Sequence, residues 1–122
     1  MKILLLFICT FMSFICHSQK VEIPDKNFEQ ALVDLKIDTD GKVNGYLLIK
    51  DAQKVTYLDV SNKKIRDLSG IEAFTSLSFL DCSNNPLSNL NLSNNIGLTI
   101  IFNDVNDLIF PNKRGMGIVW ID

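Results

Sequence analysis

Histidine is nearly missing from this chain: His17 is the only one among 122 residues. Cysteine is scarce as well, with Cys9, Cys16 and Cys82 making up the set. No apolar run approaches the roughly 20 residues that a helix needs to cross a bilayer core. The longest, Ile3 to Cys16, spans 14 residues and is interrupted by Thr10 and Ser13. It follows the basic Lys2 and leads into small residues, the pattern of a secretory signal peptide over residues 1–18. Cleavage is expected after Ser18, with Cys16 and Ser18 as the small residues at −3 and −1 before the cut and Gln19 as the new terminus. Two alternatives stay open. One is an uncleaved membrane anchor. The other is a lipoprotein with Cys16 lipidated, although Ile15 stands where such signals usually carry a small residue.

Cleavage narrows the chemistry further. Cys9, Cys16 and His17 leave with the signal, so the mature chain keeps Cys82 alone and no histidine. An intramolecular disulfide is then excluded, although export would permit one. Zinc sites of the Cys/His kind and Ser/His/Asp or Cys/His nucleophiles are excluded too. Removing Lys2 from the 12 basic residues leaves 11 against 14 acidic ones, a net charge of −3. A weakly acidic domain lacks the basic footprint that nucleic acid requires, so no nucleic-acid partner is expected. No cofactor, no membrane span after signal cleavage and a monomeric state are expected.

The remaining 104 or so residues, one small domain, repeat themselves. The first unit runs Val55-Thr-Tyr-Leu58-Asp-Val60-Ser-Asn-Lys63-Lys-Ile65-Arg-Asp-Leu68. The second runs Leu77-Ser-Phe-Leu80-Asp-Cys82-Ser-Asn-Asn85-Pro-Leu87-Ser-Asn-Leu90. The third runs Leu98-Thr-Ile-Ile101-Phe-Asn103-Asp-Val-Asn106-Asp-Leu108. The starts lie 22 and 21 residues apart. The shared template, L-x-x-L-x-L/C-x-x-N-x-L, is the leucine-rich-repeat signature. Unit two matches throughout. Unit one has Lys63 in place of the asparagine, and unit three has polar Asn103 at a normally apolar position.

Each template position has a physical role. Leu58 and Val60 are two apart and point to one side of an extended strand, as do Leu80 and Cys82. Ile65 and Leu68, or Leu87 and Leu90, turn inward on the return. A single coil cannot bury that apolar edge, whereas stacked coils bury it and leave a parallel strand ladder on one face. Asn85 and Asn106 fall where the strand bends away, and a buried amide there satisfies backbone groups that the turn leaves unpaired. Cys82 reads as a small buried residue of the core stack, not a reactive thiol.

The units have relatives by likeness. Units two and three, with Leu90-Asn-Leu-Ser-Asn-Asn95 between them, resemble the 21-residue repeats of secreted bacterial leucine-rich-repeat proteins. Val55 to Leu80, with Ile65-Arg-Asp-Leu-Ser-Gly-Ile-Glu72 and Leu77, resembles the opening repeat of internalin-like proteins. Ile23-Pro-Asp-Lys-Asn-Phe-Glu-Gln-Ala-Leu32 resembles the N-terminal cap of the same group. The resemblance implies a leucine-rich-repeat solenoid, with a short parallel β-ladder on the concave face and an N-terminal α-helical cap. It also implies a short or truncated member of that group. The expected division is 1–18 signal, 19–54 cap with helix, 55–110 repeats (55–76, 77–97 and a partial 98–110) and 111–122 a divergent tail or terminal strand.

The cap also follows from its residues. Asp25 is a suitable helix N-cap after Pro24. Phe28, Ala31, Leu32 and Leu35 then fall on one apolar stripe, and a solenoid's end coil needs such cover. Asp38-Thr-Asp40-Gly41-Lys-Val-Asn44-Gly45 follows. Its clustered oxygens are reminiscent of part of a calcium loop, with Asp38, Asp40 and Asn44 as weak ligand candidates. In the best alignment, however, Lys36 and Leu47 stand where the two most important ligands belong. An Asx/Gly turn joining helix to strand is the simpler reading.

The outward ladder positions are Tyr57, Phe79 and Ile100 in one column and Asp59, Asp81 and Phe102 in the next. Exposed aromatics in a row are candidates for contact with an extracellular protein or polysaccharide. Aromatic and β-branched residues also favour strands for pairing alone. Asp59 and Asp81, one coil apart, are the one carboxylate pair placed for acid/base work. Yet an open ladder offers no deep pocket, so no enzyme is expected. Ile118, Val119, Trp120 and Ile121 are strand-like and suit a last covering strand. A secreted or cell-surface binding module is the reading that results, with a capping fragment of a longer surface protein as the alternative.

Overall fold

The computed structural model of the chain describes residues 19–104 together with Leu108 and Ile109. The expected signal at 1–18, the turn amide of Asn106 and the tail at 111–122 lie outside the described residues.

The chain begins with strand β1 (Lys20–Glu22), which pairs antiparallel with β2 (Tyr46–Leu48), Val21 opposite Leu47. Between them runs helix α1 (Lys26–Asp34). Asp25 is its N-cap: Oδ1 accepts the N–H groups of Asn27 and Phe28 at 2.9 and 3.1 Å. These are two of the donors that a helix start leaves without partners. Phe28, Ala31 and Leu32 are buried as their spacing requires. Leu35 departs from the stripe. The helix has ended, Lys36 takes a left-handed φ of 59°, and the Leu35 side chain is 46% exposed. Buried Glu29 stands in the helix instead, its carboxylate accepting the N–H groups of Asn44 and Gly45 at 2.8 to 3.1 Å. A short helix α2 (Ile49–Ala52) follows β2.

The repeats form a series of short parallel strands. β3 (Tyr57–Asp59), β4 (Phe79–Asp81) and β6 (Ile100–Phe102) make a three-stranded parallel sheet in the order β3-β4-β6. Leu58, Leu80 and Ile101 are in register within it, all fully buried. On the return side, β5 (Leu90–Asn91) pairs in parallel with β7 (Leu108–Ile109). A 3₁₀ turn at Ile71–Ala73 lies between β3 and β4. One apolar core joins Phe28 and Leu32 of α1 to Leu58, Ile65, Phe74, Leu80, Leu92 and Ile101 of the coils. The Phe28 and Phe74 rings meet at 6.3 Å, tilted by 34°. Each fully buried leucine or phenylalanine contributes roughly 1.5–3 kcal/mol, so the helix and the coils stabilise each other.

Two amides hold successive coils together. Asn85 Oδ1 accepts from Lys63 N and Ile65 N, each at 3.0 Å. Its Nδ2 donates to the carbonyls of Val60, Cys82 and Ser83 at 2.8, 3.1 and 3.2 Å. One side chain thus satisfies backbone groups of its own coil and of the coil before it. Asn95, fully buried on the return side, donates to the carbonyls of Ile71 and Phe74 at 2.8 and 3.0 Å.

The same geometry accounts for Lys63. An asparagine there would serve a preceding coil, but α1 stands in that place. Asp25 ties α1 to the first coil: its Oδ2 accepts Arg66 N and Asp67 N at 2.8 and 3.0 Å while Oδ1 caps the helix. Asn27 Nδ2 adds a bond to Lys64 O at 2.9 Å.

Candidate ligand-binding face

The six residues singled out on the ladder are brought together on one side of the sheet. Tyr57, Phe79 and Ile100 stand opposite one another across β3, β4 and β6, and Asp59, Asp81 and Phe102 do the same. Tyr57 is 61% exposed and Ile100 39%, Asp59 is exposed, and Phe79, Asp81 and Phe102 are half-buried. The strand alternation forces this, because Leu58, Leu80 and Ile101 between them occupy the core.

The aromatic rings pack on each other along the ladder. Tyr57 and Phe79 stack with centroids 4.3 Å apart and planes within 7°. Phe79 also meets Phe102 at 5.5 Å, tilted by 57°. The strand spacing of about 4.8 Å is close to the spacing of stacked rings, so residues one coil apart settle face to face. The two aspartates are partly engaged. Asp59 Oδ1 accepts the N–H and hydroxyl of Ser61 at 3.0 and 2.7 Å. Asp81 Oδ1 does the same with Ser83 at 3.1 and 2.6 Å. These Asp-x-Ser turns end each strand, and the other oxygen of each carboxylate accepts no hydrogen bond among the described residues.

Behind the face, Cys82 is a buried free thiol, with its Sγ 3.5 Å from Phe102 O. Burial, with Asp81 and Asp104 nearby, pushes its pKa up to about 12. The folded chain is therefore expected to resist a thiol-specific reagent at pH 8 and to react fully once unfolded in denaturant. Rapid labelling of the native chain would contradict that placement.

The loop after α1 is built as a turn. Asp40 Oδ1 accepts Lys42 N and Oδ2 accepts Asn44 Nδ2, both at 2.8 Å, and Asn44 Oδ1 accepts Tyr46 N at 3.2 Å. The oxygens of Asp40 and Asn44 proposed for a cation thus close the loop, and no group of three or more His, Cys, Asp or Glu arranged to hold a metal occurs among the described residues. Asp38 is buried: Oδ1 accepts Asp40 N at 3.3 Å, and Oδ2 has no hydrogen-bond partner among the described residues.

Burial, and then the neighbouring Asp40 carboxylate, push the Asp38 pKa up from 3.8 to about 6. At Asp25 burial acts upward too, but the N–H groups of Arg66, Phe28, Asp67 and Asn27 together hold its carboxyl below the ordinary value. The signs are opposite. A raised pKa means that the folded state holds a proton the unfolded chain has released, so Asp38's contribution is complete below about pH 4 and lost as pH rises through about 6. Asp25's contribution is present above its ordinary value and lost as pH falls below it. The melting temperature is therefore expected to rise from pH 7 to pH 5 and to fall below pH 4. Asp38→Asn should flatten the first limb and stabilise the chain at pH 7 by about 1 kcal/mol, the full shift being blunted by solvent beside exposed Asp40. Thermal melts across pH 3–8 check this. An unchanged limb in Asp38→Asn would refute it.

The fold is that of a leucine-rich-repeat solenoid, and it is similar to internalin structures. Among solved structures, the chain is similar to the functional domain of InlJ from Listeria monocytogenes, described as including a cysteine ladder. The TM-score is 0.61 at 24% identity, over 86% of this chain and 26% of that one. It is similar to the internalin InlF of Listeria monocytogenes at TM-score 0.57 and 21% identity, over 72% of this chain and 25% of that one. A third likeness is to the CBM51-2 and INT domains of ZmpB from Clostridium perfringens, at TM-score 0.54 and 25% identity, over 75% of this chain and 17% of that one. The chain thus spans about a quarter of the length of the two internalin structures. No protein-family model and no curated protein matches it.

Sequence reasoning missed Glu29, Asn95 and the β1–β2 pair. Asn95 had a signal: it follows Leu92 by three, as Asn85 follows Cys82. No helix among the described residues is long and apolar enough to cross a membrane.

Proposed function

We propose that this chain is an exported leucine-rich-repeat module, secreted or held at the cell surface, that binds an extracellular protein or polysaccharide without chemistry. Its leader is residues 1–18, cut after Ser18. Its contact residues are Tyr57, Asp59, Phe79, Asp81, Ile100 and Phe102. Helix α1 and the β1–β2 pair close the N-terminal end of the coil stack, so that the repeats need no coil before them. The observation that carries the reading is the in-register aromatic row on the solvent side of the ladder, where strand pairing alone would not require a 61% exposed tyrosine. Exposed aromatic surface of this kind is what macromolecular contacts use. Catalysis has little to work with there, since one oxygen of each aspartate is tied to a serine and the face is open.

The test is a glycan array and a pull-down from extracellular material with the chain as bait, repeated with Tyr57→Ala and Phe79→Ala. Each change should weaken binding at least tenfold, a loss of about 1.4 kcal/mol or more, and leave the melting temperature nearly unchanged for Tyr57→Ala. Binding indifferent to both changes would sink the ladder as the contact surface.

A further inference from the structure

The ring geometry goes further than the presence of a binding face, and the inference rests on that face being the one used. A sugar recognised by stacking needs an aromatic face open to it. Phe79 has one face on Tyr57 and its other side against Phe102. Tyr57 has one face on Phe79, and its other face is turned away from β4. Because β3 is at the edge of the sheet, no strand among the described residues lies on that side.

What lies there is a shallow trough of about 350 Å³. Tyr57, Leu35, Ile37 and Val55 supply its apolar wall, with Lys54 at one end of the β3 segment and Asp59 at the other. Leu35, which the helix pattern assigns to the core, is instead 46% exposed in this wall. The surface lining the trough is mainly apolar, which is poor equipment for a hydroxyl-rich ring and good equipment for an apolar side chain.

The charges around it set what accompanies that side chain. Asp59 and, one coil on, Asp81 each leave one carboxylate oxygen uncommitted on the ladder side. A guanidinium or ammonium beside the apolar group is matched there. Lys54 at the opposite end repels a second cation and so fixes the direction of the segment.

We infer that the trough between α1 and β3 is the anchor pocket of this module, and that its occupant is an exposed protein segment carrying a large apolar side chain next to an arginine or lysine. A glycan is not what this pocket fits.

The test is selection of a phage-displayed random dodecapeptide library on the full-length chain, with a glycan array in parallel. A synthetic peptide of the selected consensus is then titrated against wild type, Leu35→Gln, Asp59→Asn and Phe79→Ala, each checked for an unchanged circular-dichroism melt. The inference predicts a consensus with an apolar residue beside Arg or Lys. It predicts at least tenfold weaker binding to Leu35→Gln, severalfold weaker binding to Asp59→Asn, and a loss of the Asp59 effect at high salt. A consensus without the apolar anchor, or affinity unmoved by Leu35→Gln, overturns it. Binding to a glycan that is lost in Phe79→Ala but intact in Leu35→Gln overturns it while leaving the ladder as the binding face. No peptide selected and no glycan bound overturns both.

Discussion

Gly70→Ala is expected to cost the fold about 3 kcal/mol or more, the most damaging glycine-to-alanine change in the described residues. Gly70 precedes the 3₁₀ turn with φ of 104°, a conformation that L side chains rarely adopt. Space is also missing. A Cβ there would collide with Ile23 Cδ1 and lie 2.8 Å from Glu22 O. Ile23 is itself buried, and Glu22 belongs to β1, so neither can retreat without opening the seam between the N-terminal strand pair and the first coil. Gly41 separates the two causes. It also has positive φ, 68°, but nothing lies within 4 Å of its would-be Cβ. Gly41→Ala should therefore cost only the backbone term, about 1 kcal/mol. Urea unfolding of the two variants checks the contrast. Equal losses would mean that the close approach of Gly70 to β1 is wrong.

Asn85→Ala is expected to lose about 3 kcal/mol, although only a small side chain is removed. Five backbone groups from two coils use that amide. Without it, the buried Ile65 N–H and Val60 carbonyl have no water to turn to, and each buried polar group left unpaired costs roughly 1–3 kcal/mol. Asn85→Asp should not rescue, because a carboxylate keeps the two acceptances but cannot make the three donations. Exposed Asn94→Ala should change stability by less than about 0.5 kcal/mol. Chemical denaturation reports all three. A loss at Asn85→Ala no larger than at Asn94→Ala would mean that the amide does not bridge the coils.

The ladder was the most legible part of the molecule. Leu58 and Val60, then Leu80 and Cys82, recur at one coil's spacing, and spacing of that kind leaves only one register in which every apolar residue faces inward. The structure pairs Leu58 with Leu80 and Leu80 with Ile101 accordingly. Asp25 as N-cap and Asn85 as the turn amide were legible for a related reason: both act within a few residues of themselves. Their second roles were not. Asp25 also binds Arg66 and Asp67, some forty residues on, and a local pattern carries no trace of that.

Glu29 was hidden for the same cause. A charge on a helix reads as solvated, and only the return of Asn44 and Gly45 to its carboxylate makes burial tolerable. Leu35 misled in the opposite direction: helical spacing continued through it, while the helix itself stopped at Asp34. The six face residues were legible as outward positions, but not how they sit. Alternation says that Tyr57 and Phe79 share a side of the sheet. It does not say that their rings cover each other, which is what separates an anchor beside the ladder from a sugar platform on it.

The central claim, that the solvent side of β3, β4 and β6 is where this chain meets its partner, is tested most directly by hydroxyl-radical footprinting. The chain is oxidised free and in complex with a macromolecule that it captures, and modification is read residue by residue. The account predicts strong protection of Tyr57 and Phe79, with Leu35 and Ile100 protected beside them. Protection confined to residues off the ladder, such as the 56% exposed Ile96, with Tyr57 as reactive in the complex as in the free chain, would contradict it.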